Sequence, residues 1–353
     1  MNSLDLLLEQ SRFANYSDVH IDETGRVLIR LDGQLMPFPR KQYTAEETKE
    51  MLEILMANEN KQPLEEKRDL DFVYVENGLR YRVNVYRNQG YLSAACRVIN
   101  ENIKTLEQLN LPPVLKSFTQ APHGLVLLTG PTGSGKSTTL AAMIDEINHT
   151  RPCHILTIED PVEYLYRPDQ ALIHQREIEH DVDHFSTALR SALREDPDVV
   201  LVGEMRDFET IQATITLAET GHLVFSTLHT IGAAKTIDRI VDVFPSHQQE
   251  QIRAQLADVL NAVVTQTLLP RADGSGRIAA SEIMVVTDAI SNMIRENKTY
   301  QITSMLQTGK EFGMQTLNGS LMKLLKRHYI SRETAFDATD NKSELQELLT
   351  GII

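Results

Sequence analysis

Residues 130–137 read Gly130-Pro131-Thr132-Gly133-Ser134-Gly135-Lys136-Ser137, with Thr138 next. The run fits the spacing G-x-x-x-x-G-K-[ST] without a gap. These residue types at this spacing suit phosphate. Glycines let the backbone turn tightly and aim successive N–H groups inward, making a cradle for oxygen anions. Lys136 has the reach to meet the β- and γ-phosphates of a nucleotide, and the Ser137 hydroxyl is suited to hold Mg²⁺. A helix starting here adds its positive N-terminal dipole.

The flanks agree with that reading. Leu125–Thr129 is a short apolar run, predicted as a buried strand. Leu140, Met143, Ile144 and Ile147 fall at i, i+3, i+4 and i+7, one face of a helix. Further strands are predicted at Ile155–Ile158, Val199–Val202 and Leu223–Thr227. Strand, helix and strand in alternation imply a parallel α/β sheet. In such sheets ligands bind at the carboxyl ends of strands, so the polar groups that end each strand are candidates for the site.

Three segments supply them. Glu159, Asp160 and Glu163 follow the second strand and suit a Mg²⁺ shell or activation of water; an acidic, solvated loop is the alternative. Val199–Val202 delivers Gly203 and Glu204, the logic of a Walker-B carboxylate with Glu in place of Asp. His222 and His229 bracket the fourth strand and suit phosphate sensing or relay of a movement; alone, such a pair reads as structural. His180-Asp181-Val182-Asp183-His184 would align two histidines if helical, but lacks the H-E-x-x-H form, and a solvated surface stretch is the better reading.

The 353 residues allow one large domain or two ordinary ones. Hydrophobic content of 41% and charged content of 24% are those of a globular protein. A net charge of −14 argues against a protein that primarily binds nucleic acid backbones. MNSLDLLLEQ has no basic n-region and reads as a short helix with Leu4, Leu7 and Leu8 on one face, not a signal peptide. No apolar run reaches bilayer-spanning length. Cys96 and Cys153 form no C-x-x-C, which points to neither a disulfide framework nor zinc, and to a reduced, cytoplasmic setting.

The first hundred residues read as a small α+β domain. Arg26–Leu31 alternates, and Asp32-Gly33 supplies a hairpin turn. Thr44-Ala45-Glu46-Glu47 has capping-box spacing before a helix bearing Met51, Leu52 and Leu55. Phe72–Val75, the turn Asn77-Gly78 and Leu79–Arg87 read as a second hairpin, with Tyr81, Val83 and Val85 on one face and Arg80, Arg82 and Asn84 on the other. A strand at Leu92–Ile99 follows. Asn100–Gln108 is polar and ends at Leu111-Pro112-Pro113, a linker. The last hundred residues read as mainly helical.

Taken together, GPTGSGKSTT, IEDPVEY, DPDVVLVGEMRD, AETGHLVFSTLHT and DRIVDVFP resemble the PilT family, the retraction ATPases of type IV pili within the type II/type IV secretion ATPase superfamily. Ser17-Asp18-Val19-His20 and Tyr81-Arg82-Val83-Asn84 match the N-terminal domain of that family, and Phe312-Gly313-Met314-Gln315-Thr316-Leu317 its C-terminal region. The resemblance implies an α/β, RecA-like P-loop ATPase domain with a helical C-terminal region at 112–353, a PAS-like domain at 1–99 and a linker at 100–111. It implies a cytoplasmic homohexamer that uses ATP and Mg²⁺. This hexamer would sit at the inner face of the cytoplasmic membrane, docked through a pilus platform protein, with a paralogous ATPase as a further candidate partner. Gly130–Thr138 would then hold the nucleotide, with Glu159, Asp160 and His222 beside it, and Ser137, Glu159 and Glu204 would serve the metal. Glu204, or else Glu163, would activate water; His229 matches the histidine box; Arg82 and Arg97 match arginines that close over the phosphates. The short length and absence of a four-cysteine insertion favour retraction over pilus assembly or type II secretion; a catalytically weak regulatory subunit is the other alternative. One departure stands out: Ala289-Ile290-Ser291-Asn292 carries serine where the family motif has arginine, which bears on coupling to retraction, not on hydrolysis.

Overall fold

The computed structural model describes residues 3–13, 16–31, 34–57, 69–76, 79–99 and 102–351. The chain divides into two compact units, Met1–Glu101 and Asn102–Ile353.

The first unit runs α1 (Ser3–Phe13), β1 (Asp18–Asp22), β2 (Arg26–Leu31), β3 (Gln34–Pro37), α2 (Ala45–Ala57), β4 (Asp69–Glu76), β5 (Leu79–Asn88) and β6 (Tyr91–Val98). Its strands form a six-stranded antiparallel sheet in the order β3-β2-β1-β6-β5-β4. Leu4, Leu7 and Leu8 of α1 and Met51, Leu52 and Leu55 of α2 are buried with Tyr81, Val83 and Val85 of β5 in one apolar cluster. Apolar area removed from water, at about 25 cal/mol per Å², is what holds those helices to the sheet. The capping box forms as its spacing predicts: Glu47 N–H donates to Thr44 Oγ1 at 3.2 Å, and Glu47 Oε2 accepts from Thr44 N–H at 2.9 Å. The turns at Asp32-Gly33 and Asn77-Gly78 lie outside the described residues.

The second unit contains α3 (Val114–Thr119), β7 (Gly124–Thr129), α4 (Lys136–Thr150), β8 (His154–Glu159), β9 (Leu172–Glu177), α5 (Phe185–Ala192), β10 (Val199–Val202), α6 (Phe208–Glu219), β11 (Leu223–Leu228), α7 (Ala233–Asp242) and α8 (Gln249–Val259). After these come β12 (Leu260–Pro270), β13 (Arg277–Val285), α9 (Asp288–Arg295), α10 (Ile302–Thr308), α11 (Leu317–Lys326), α12 (Arg332–Asp337) and α13 (Lys342–Thr350). The seven-stranded sheet is ordered β13-β12-β7-β11-β10-β8-β9, parallel except for β13. Successive residues of β7 serve opposite faces. Leu125 and Leu127 join one core layer, Val126 and Leu128 the other, as in a parallel strand covered on both sides.

One expectation needs correction. The last hundred residues are not mainly helical from their start: Leu260–Pro270 and Arg277–Val285 form a long antiparallel hairpin on the sheet. The chain passes from α8 straight into β12 at Val259-Leu260, with no glycine or proline to mark the boundary, and an apolar run alone does not separate buried strand from buried helix. His180–His184 is an exposed turn between β9 and α5, bridged at Ile178 and Val182, in keeping with its reading as a solvated surface stretch; His180 Nε2 lies 3.5 Å from Glu177 Oε1. Within the stretch read as a linker, Leu106 and Leu111 are buried in the core of the second unit.

Candidate nucleotide site

The phosphate loop joins β7 to α4, at the carboxyl edge of the sheet. Gly130 has φ +135° and Gly135 φ +89°, a region that favours glycine. Neither has room for a side chain: a Cβ on Gly130 would strike the Gln266 carbonyl oxygen, and one on Gly135 would stand 2.7 Å from Gln266 Nε2. The loop is thus pressed against β12 and leaves its other side for a ligand.

Lys136 opens α4 and is only 8% exposed. Its Nζ donates to the carbonyls of Gly130 at 2.8 Å and Pro131 at 3.1 Å. Burial lowers its pKa, against the opposing pull of the Glu204 and Glu163 carboxylates. Glu163 and Glu204 thus act on the lysine through their charge, although 27 and 68 residues separate them from it in sequence. Ser134 is buried and its Oγ has no partner among the described residues. A desolvated ammonium and an unpaired buried hydroxyl fit a bound phosphate group.

Glu204 follows β10 and is pinned by its neighbours. Gly203 N–H donates to Ile158 O at 2.8 Å, Thr227 Oγ1 to Gly203 O at 2.7 Å and Met205 N–H to Thr227 O at 3.1 Å. Its side chain is 12% exposed, with Arg206 on Oε1 and His229 Nε2 3.3 Å from Oε2. The structure thus brings Lys136, Glu204 and His229 to one edge.

The acidic segment divides. Glu163 and Asp160 are exposed, whereas Glu159 is buried and accepts from Thr157 Oγ1 at 2.6 Å and Gln175 Nε2 at 3.5 Å. Burial drives the Glu159 pKa up to about 7, with those bonds acting the other way. Expected beside the metal, Glu159 is turned inward. The segment is anchored by residues the sequence did not flag. Gln175 Nε2 donates to Tyr164 O at 2.8 Å, Glu177 Oε2 accepts from Val162 N–H at 3.0 Å, and Tyr164 OH meets Thr138 Oγ1 at 2.8 Å.

His222 is not brought to the loop of its own chain. It precedes β11 at the amino edge of the sheet, ~20 Å from His229 at about 3.3 Å per residue. Its Nδ1 lies 2.9 Å from Leu217 O, an acceptor, so that nitrogen carries the proton in this bond.

In the first unit, strand register sets Arg82 directly opposite Arg97. Like charges so placed repel, so each needs an anion. Arg97 Nε donates to Asp18 Oδ1 at 2.7 Å, and Arg82 Nε lies 4.0 Å from Asp71 Oδ1. Ser17 Oγ also donates to Asp18, at 2.8 Å. Burial disfavours the Asp18 charge, but the bonds from Arg97 and Ser17 outweigh it and hold its pKa below the ordinary value. Ser291, on α9, donates its Oγ to Ala257 O of α8 at 2.6 Å.

Residues 2–335 match the family described as Type II/IV secretion system protein. A twitching motility protein of Neisseria gonorrhoeae is 47% identical over 319 residues, 90% of this chain and 85% of that protein. The type IV pilus retraction ATPase PilT of Pseudomonas aeruginosa is also 47% identical, over 335 residues covering 93% of this chain and 96% of its own. A crystal structure of the pilus retraction motor PilT with bound ADP superposes with a TM-score of 0.89 at 42% identity, spanning 98% of this chain and 99% of that one. The loop that seats phosphate, the carboxylate that faces its lysine and these full-length likenesses agree: the chain belongs to the type II/IV secretion system protein family, in its PilT branch, and is a P-loop ATPase.

Proposed function

We propose that this chain is the motor of type IV pilus retraction, a Mg²⁺-dependent homohexamer that converts ATP hydrolysis into movement of one domain against the other. The observation that carries the enzymatic part is Glu204, held 3.3 Å from His229 and facing Lys136. The retraction part rests on the likeness to PilT over nearly the whole chain.

Hydrolysis is in-line attack of water on the γ-phosphorus. Loop amides and the Lys136 ammonium bind the phosphates. Glu204 orients the water and takes its proton, with His229 beside the carboxylate; Glu163 is the runner-up for this role. Ser137 and Glu204 offer the hard oxygen donors that Mg²⁺ takes, whereas Glu159 is committed to Thr157. When bound, the metal neutralises charge on the transferring phosphoryl group. The cross-strand pair Arg82 and Arg97 supplies further positive charge to the γ-phosphate, as the family resemblance implies. Asp18 engages Nε of Arg97, which leaves the outer nitrogens of that guanidinium for an anion.

The motor works at the cytoplasmic face of the inner membrane, against a pilus platform protein, with a paralogous ATPase as a further candidate partner. No helix among the described residues is long and apolar enough to cross a membrane. Two assays test this reading together. Purified protein should release phosphate only with Mg²⁺, and Lys136→Ala should abolish release, since it removes the ammonium buried in the loop. In cells lacking the native gene, the wild-type chain should restore retraction and Lys136→Ala should not. Near-normal turnover by Lys136→Ala would overturn the site; turnover without retraction would favour an assembly or secretion ATPase.

A further inference from the structure

Gln266 lies in β12 and is 2% exposed. Both ends of its amide are committed to the phosphate loop and the helix behind it. Nε2 donates to Ser134 O at 2.8 Å, and Oε1 accepts from Thr139 Oγ1 at 2.9 Å. In a trans peptide the C=O and the following N–H point in opposite directions. Holding the Ser134 carbonyl on Gln266 therefore aims the Gly135 N–H away from β12, as an amide that binds phosphate must point. The Thr139 bond fixes the first turn of α4 against the same side chain.

The next strand continues the contact. Ser281 of β13 is registered opposite Gln266. Its carbonyl and hydroxyl accept from Gln315 Nε2 at 2.9 and 3.1 Å, and its N–H donates to Ser320 Oγ at 3.1 Å. Gln315 Oε1 in turn accepts from Lys323 Nζ of α11 at 2.8 Å. Ile283 and Gln315 exchange both backbone hydrogen bonds, at 2.9 and 3.1 Å. Gln266, Ser281, Gln315 and Ser320 are all buried. Gln315 belongs to the stretch Phe312–Leu317, which resembles the family's C-terminal region and enters no step of hydrolysis.

We propose that Gln266 is a positioning residue for the phosphate loop, and that the Gln266–Ser281 strand pair with Gln315 and Lys323 couples the shape of that loop to helix α11. A change in the loop on binding or losing a nucleotide then reaches the C-terminal helices through buried bonds with little room to slacken. The proposal rests on the reading of this loop as the nucleotide site.

The test uses the full-length protein, fluorescent ATP and ADP analogues, steady-state hydrolysis and thermal unfolding. Gln266→Met keeps the volume and removes both bonds. It should weaken both nucleotides about tenfold, because the Ser134 carbonyl loses its buried donor. Gln266→Glu keeps an acceptor for Thr139 but sets a carboxylate oxygen against that carbonyl, and should bind more weakly still. KM should rise by more than kcat falls. Thr139→Val, at the edge of the network, gives the same direction at about threefold if the Gln266 variants do not fold. Gln315→Met should also weaken binding about threefold, and less than that when added to Gln266→Met. Unchanged affinity in folded Gln266→Met, or in Thr139→Val, overturns the positioning role; a purely structural residue would lower the thermal midpoint alone. Unchanged affinity in Gln315→Met, or fold-changes that simply multiply, overturns the coupling to α11. Wild-type protein that binds no nucleotide would instead overturn the reading of the loop itself.

Discussion

Glu204→Gln should leave a protein that binds ATP but hydrolyses it on the order of a hundredfold more slowly. Glutamine has nearly the same shape, and the backbone bonds that set the position stay. Gly203 still donates to Ile158 and Thr227 still donates to Gly203, so geometry survives the change. What is lost is the proton acceptor, and positioned general bases contribute roughly 10²–10⁴ in rate. Glu204 also raises the Lys136 pKa against the effect of burial. Its neutralisation therefore shifts Lys136 further down, but Glu163 still faces the ammonium, and affinity should change by no more than about threefold, a shift below 1 kcal/mol. Equilibrium binding of a fluorescent ATP analogue measures the second quantity, and single-turnover hydrolysis in quenched flow measures the first. The reasoning is refuted if Glu163→Gln shows intact binding with slow chemistry while Glu204→Gln turns over normally. It is also refuted if Glu204→Gln loses binding and hydrolysis in parallel.

Arg82→Ala and Arg97→Ala should each weaken ATP at least tenfold more than ADP, the loss of a charge-assisted bond to the γ-phosphate. Asp18→Asn, which loosens Arg97, should move ATP affinity in the same direction by less; equal effects on both nucleotides would mark these groups as structural. Ser291→Arg should keep hydrolysis within about twofold but lower the thermal midpoint, because the Ser291 Oγ bond to Ala257 O is lost where α8 packs on α9; a large change in turnover would tie this segment to the chemistry. For Glu159, the folded-state pKa of about 7 lies above the ordinary 4.5, so the native state holds a proton that the unfolded chain has released. Its burial thus lowers stability as pH rises from about 4.5 to 7, and Glu159→Gln should raise the thermal midpoint more at pH 8 than at pH 5; equal shifts would contradict a charge buried at this position.

The parts of this molecule that were legible are those whose partners lie close in sequence. Thr44 and Glu47 are three residues apart and form the reciprocal cap their spacing predicts. Gly130–Ser137 carries its own geometry, because glycine alone takes the turns that the loop requires. Alternation on β5 put Arg82 on the polar face, and the structure keeps Tyr81, Val83 and Val85 inside. That alternation did not place Arg97 directly across from it, since cross-strand register depends on the fold. His222 and His229 look equivalent as a pair around one strand, yet a strand has two ends, and only His229 stands at the carboxyl edge.

The same limit explains why the supports of the site were missed. Gln266 meets Ser134 and Thr139 across 132 and 127 residues of chain, and it sits in a run whose strand character was itself hidden by the preceding helix. A lone glutamine between two threonines in an apolar segment was the available signal, because a buried amide must find both a donor and an acceptor. Gln175 poses the same problem on β9, where it holds Glu159 and Tyr164 together. The residues that meet phosphate follow a local pattern, whereas those that aim them are chosen by whichever strand packs alongside. In this chain the strand alongside is β12, and through β13 it ends at the C-terminal helices. Retraction needs a path from phosphate to a moving surface, and that hairpin suits the task better than the exposed loops, because buried polar contacts have few alternative arrangements.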